Sequence, residues 1–132
     1  MNRLIPALAL LPALATTGAF AQTVSDDVSK QLWCGTAFVV AFSNPPEGVT
    51  PEQLAEAKTF IDNGNGLIDQ ATQAHLDAGF TEEQVTALKA DLVTKVTDQI
   101  NNNPDKADYS FEDCAALLPQ PAAPSDASSS AM

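Results

Sequence analysis

The chain has 132 residues, with 17 Asp and Glu against 6 Lys and Arg, one His and two Cys, for a formal charge of −11 and a pI near 4.1. That length suits one compact domain, and the lack of clustered Lys and Arg excludes a nucleic-acid binder and disfavours an anionic membrane surface, because both require cations set against phosphate. With 45% apolar residues the chain is nonetheless hydrophobic enough to fold, unlike an acidic disordered protein.

Residues 1–21 have the layout of a secretory signal peptide: a basic start ending at Arg3, an apolar run from Leu4 to Leu14, and small residues around Ala19-Phe20-Ala21, with cleavage expected between Ala21 and Gln22. The run is about 11 residues long, too short for a bilayer that needs roughly 20, and Pro6 and Pro12 interrupt it. Export to a periplasm, or secretion, is therefore expected. Cleavage would also remove Arg3, the only arginine, leaving a product without the bidentate cation that clamps phosphate and carboxylate groups.

The first predicted helix begins near Val24 or Asp26 and runs to about Phe42, before Asn44-Pro45-Pro46 stops it. Trp33 to Phe42 is apolar almost throughout, broken only by Gly35 and Thr36. A helix apolar on all sides belongs at the centre of a bundle, and the competing reading, a buried strand, is shorter than this segment.

The second helix opens at Thr50-Pro51-Glu52-Gln53, a capping box with proline at the first helical position, and Val49 can staple to Leu54. Leu54, Ala57, Ile61, Gly64, Ile68, Ala71, His75 and Ala78 follow at alternating spacings of three and four, and Gly79 stands where a terminating glycine belongs. Gly64 would let a neighbouring helix approach closely. The third helix opens at Thr81-Glu82-Glu83-Gln84, with Phe80 set to staple to Val85. It carries Val85, Leu88, Leu92, Val96 and Ile100 along one face and ends at Asn101-Asn102-Asn103-Pro104. A short fourth helix starts at Ser110-Phe111-Glu112-Asp113. No segment alternates apolar and polar residues convincingly, so the expected fold is all-α: three main helices and a short C-terminal one spanning residues 22–118. The Pro-, Ala- and Ser-rich residues 119–132 read as a disordered tail.

Cys34 and Cys114 lie 80 positions apart near the two ends of the domain, and in an oxidising compartment they are expected to form one structural disulfide. Asp62 to Asp69 resembles half of a calcium loop, which makes Asn63, Asn65 and Asp69 the candidate cation ligands. Ile61 and Thr72 then fall where the two anchoring carboxylates belong, so the expectation is a helix and no metal. His75 has Ala71 and Gly79 as its neighbours one turn away, which favours a packed, hydrogen-bonded imidazole over a ligand or a general base. Many of the acids stand in first turns of helices, where the macrodipole favours them. No nucleophile elbow, phosphate loop, dinucleotide fingerprint or zinc-protease motif is present, and no cofactor is implied.

The layout, a small exported helical domain with one long-range disulfide, is similar to that of acid-activated periplasmic chaperones, a likeness of size and compartment that transfers no residues. The functional expectation is a non-enzymatic binding or interaction module for a protein or small ligand, with an acid- or stress-responsive chaperone as the alternative. A small hydrolase and a divalent-cation binder rank behind both.

Overall fold

The computed structural model describes residues 22–119. The expected signal peptide, with Ala21, and the expected tail apart from Pro119 lie outside the described residues. The fold is all-α, with α1 over Asp26–Phe42, α2 over Pro51–Asp77, α3 over Glu82–Asn101, a single 3-10 turn at Pro104–Lys106, and α4 over Phe111–Ala115.

The helix starts follow the hydroxyl caps. Ser25, Thr50, Thr81 and Ser110 each accept a hydrogen bond from the backbone N–H three residues on, and at the last three the side chains of Gln53, Gln84 and Asp113 complete the capping box. At the end of α2, Gly79 takes φ of 94°, and the N–H groups of Gly79 and Phe80 donate to the carbonyls of Leu76 and His75. That pair of bonds closes the helix in a Schellman motif. Asn102 and Asn103 end α3 by donating their side-chain amides to the Asp98 carboxylate.

α1 is the central helix. It packs against both α2 and α3, which touch each other far less, and Leu32 through Phe38 are buried without interruption. α1 and α2 run antiparallel, since Gln22 bonds the Gly79 carbonyl, Gly35 faces Gly64, and Phe42 stacks on Phe60. Their closest approach is at the glycines. A Cβ on Gly35 would lie 2.6 Å from the Gly64 carbonyl oxygen, and one on Gly64 would lie 2.8 Å from the Gly35 carbonyl oxygen. No side chain fits there, so the absence of both sets how near the two axes come.

α2 is continuous through Asn63 to Gly66. Its buried stripe is Gly64, Leu67, Ala71 and His75, with Phe60 half-buried at its head, which corrects the expected face in two places. Leu67 replaces the half-buried Ile68 as the core residue, and Leu54 is 45% exposed. The reason is length. Counting back from the Gly35–Gly64 contact, α1 ends opposite Ala57, so the first turn of α2 overhangs its 17-residue partner, which leaves Leu54 exposed while Val49 is half-buried beside the larger of the hollows described below. On α3, Val85 and Val96 are buried and Leu88, Leu92 and Ile100 half-buried, as their spacing predicts.

Cys114 is brought back onto α1, where it is bonded to Cys34 with a Cα–Cα distance of 5.2 Å. A closure of that size stabilises a fold by roughly 4 to 5 kcal/mol in the chain-entropy description.

The glycine contact makes a prediction of opposite signs. Gly35→Ala is expected to destabilise the protein by about 1–3 kcal/mol, because overpacking at 2.6 Å outweighs the better helix propensity of alanine. Gly66→Ala, whose Cβ meets nothing within 4 Å, is expected to gain up to about 1 kcal/mol. Urea midpoints of the two variants check this, and shifts in the same direction would overturn it.

Candidate functional site

The residues singled out by chemistry do not converge. Asn65 and Asp69 are exposed on a continuous helix, and the half-buried Asn63 is turned to the opposite side from Asn65. Asp62 is paired with Lys58 one turn back. Among the described residues, no three His, Cys, Asp or Glu side chains are placed to hold a metal ion. His75 is 3% exposed, with Nδ1 2.6 Å from the Ala71 carbonyl oxygen and its ring edge-on to Phe80. A carbonyl only accepts, so Nδ1 carries the proton, and the imidazole is built into the core.

What the fold does assemble is an apolar cleft where α1 leaves the bundle core. Its floor is Trp33, Ala37, Phe38 and Phe42 of α1, with the exposed Ala41 at its rim. Gln99 and Ile100 of α3 form one wall, and the segment from Pro104 to Cys114 forms the other; the cleft holds about 310 Å³. A neighbouring hollow of about 550 Å³ shares Ala41, Phe42 and Phe111 and continues over Pro45, Pro46, Val49 and Phe60. Four of the six phenylalanines meet at the junction. Phe42 and Phe60 stack at 4.6 Å, and Phe111 stands perpendicular to Phe38 at 6.0 Å while remaining 59% exposed. A third hollow, along α3, is lined by Phe80 and that helix alone.

The wall from residue 104 to 115 is too short to bury much surface of its own and is held by cross-ties. Gln99, buried on α3, accepts from the Trp33 indole N–H at 3.0 Å, and its amide nitrogen donates to the Lys106 carbonyl and to Asp108. Asp108 pairs with Lys95. Trp33 meets Tyr109 edge-on, with the Lys30 ammonium 5.7 Å from the Tyr109 ring centre. Ser110 spends its hydroxyl on Asp113. The polar groups beside the cleft are thus committed to the fold, and its surface is left mainly apolar.

Two carboxylates on this wall are held below their ordinary values. The hydrogen bond from Lys95 does most of this at Asp108, against some cost of burial and with help from Gln99. At Asp113 the hydroxyl and backbone N–H of Ser110 do it.

Sequence reasoning found Cys34, Cys114 and the start of α4, and missed Gln99, Phe60 and Phe111 as parts of one site. Gln99 stands three residues after Val96 on the apolar stripe, which was the available signal. No protein-family model, curated protein or solved structure matches the chain.

Because Asp108 has a folded-state pKa below the ordinary 3.8, the unfolded chain binds its proton more readily. The stability it contributes is present above that pH and is lost as pH falls through 3.8 toward the folded value. Asp108→Asn is therefore expected to lower the urea midpoint at pH 7 and to converge with the parent toward pH 3. An equal gap at both pH values would overturn the assignment.

Proposed function

We propose that the protein is a non-enzymatic binding module that acts after export and takes an apolar group into the cleft between α1 and the Pro104–Cys114 segment. The observation that carries this reading is a concavity with an apolar lining, floored by the buried Trp33 and Phe38 and the half-buried Phe42, with the exposed Phe111 at its edge. Small-molecule sites have this size and apolar character. The Cys34–Cys114 bond is compatible with an oxidising compartment. Among the described residues no helix is long and apolar enough to cross a membrane.

The test uses Nile red, a neutral solvatochromic dye. Ala41 is exposed at the rim shared by both hollows, so Ala41→Trp fills the mouth without removing core packing. The oxidised protein is expected to brighten and blue-shift the dye, and the variant to bind it at least about tenfold more weakly, equivalent to ~1.4 kcal/mol. No dye response in the parent protein, or an equal response in the folded variant, would overturn the cleft as the site.

A second reading, acid-responsive chaperoning, draws support from the two lowered carboxylates, which both stand on the wall that closes the cleft. Acid would remove their charges along with most of the net negative charge, loosening that wall over the phenylalanine cluster. Suppression of client aggregation at pH 3 and its absence at pH 7 is the expected result. Inactivity at both would remove the reading.

A further inference from the structure

We infer that the occupant of the joined hollows is a basic amphipathic helical segment of a partner protein, an inference that rests on the binding reading above. The shape supplies the first argument. Two hollows of about 310 and 550 Å³ share Phe42 and Phe111, so together they form an apolar track running from Pro104 to Pro45. A track with two depressions takes two apolar side chains on one face of a helix better than it takes a single small ligand.

Charge supplies the second argument. Glu56 lines the larger hollow, and Glu47 stands next to its lining residue Pro46 in the chain. Both are exposed, and neither belongs to an ion pair among the described residues. No lysine or arginine occurs between Lys30 and Lys58, and Lys58 is occupied by Asp62. On the turn beside the smaller hollow, Lys106 has Asp105 next to it in the chain. The larger hollow therefore carries the Glu56 carboxylate in its rim without an internal counterion, and it favours a cationic partner and repels an anionic one.

The same charge argues against the other occupants. A second copy would bring another acidic rim of a chain with formal charge −11 against this one. Residues 120–132 of the chain itself contain no lysine or arginine to complement the rim. An anionic lipid surface would be repelled.

The experiment uses the protein with its disulfide intact and three helical peptides that carry the same Leu and Phe residues at i, i+3, i+4 and i+7. Their outward positions are filled with Lys, Gln or Glu, and binding is read by fluorescence anisotropy alongside the Nile red titration. At about 20 mM salt the Lys peptide is expected to bind at least about tenfold more tightly than the Gln peptide, with the gap closing toward about 300 mM. Combining Glu47→Gln and Glu56→Gln, both exposed positions, is expected to weaken the Lys peptide at least about fivefold more than the Gln peptide. Equal affinity for the Lys and Gln peptides, an unchanged ratio in the double variant, or Nile red binding with no peptide bound would each overturn the basic partner and leave the cleft standing. Failure of Nile red and of all three peptides would overturn both.

Discussion

The arrangement depends on the contact between Gly35 and Gly64. Each glycine faces the other helix's carbonyl oxygen at a distance no Cβ could occupy, and this fixes the height, rotation and spacing of α1 on α2. One turn along from the contact, the geometry carries Phe38 to within 5.5 Å of Phe60, and a further turn stacks Phe42 on that ring. The phenylalanine cluster is thus a downstream result of two missing side chains. A wider spacing would pull Phe42 and Phe60 apart, and Phe111 would have no aromatic floor to stand on.

The other wall of the cleft is secured by a different kind of force. The segment after Pro104 offers a three-residue turn and a five-residue helix, far below the length at which a helix is stable by itself. It holds its place through the Cys34–Cys114 bond at one end and the Trp33–Gln99–Asp108–Lys95 chain at the other. Between those ties Tyr109 rests edge-on against Trp33 and Phe111 against Phe38, and the cleft opens beside these contacts. A longer helix with its own apolar face would have filled the space. The concavity follows from closing a bundle with a segment too small to complete it.

Much of the fold was legible because the signals were local. Capping boxes, the terminating Gly79 and the stop at Asn101 to Pro104 each act within a few residues, and the element boundaries followed them. The close approach at Gly64 was readable too, since a glycine on an apolar stripe has few other uses. Its partner Gly35 was not, because within an all-apolar helix a glycine looks like any small residue. Leu54 went astray for a related reason. Periodicity reports which face of a helix is apolar, but not how far a shorter neighbour extends along it. Gln99 illustrates a third limit: residue type places glutamine outside, and only the approach of Trp33 Nε1 from 66 residues away makes it a core residue. The cleft combines all three limits, depending on helix overhang, on a buried amide and on a gap between elements distant in the chain.

The acidity divides along the same line. Glu52 and Glu112 stand in first turns of helices, where the partial positive charge of the helix end accounts for them without a partner. Asp108 and Asp113 are engaged in holding the wall. Glu47 stands before α2 begins, and Glu56 lies past its first turn beside the open hollow, so neither caps a helix. Neither is neutralised by a lysine in the structure. Charge that serves the fold carries no information about a ligand. The part left over is small, but it is concentrated beside the apolar track, where an unpaired carboxylate costs a cationic partner little to approach and an anionic one a great deal.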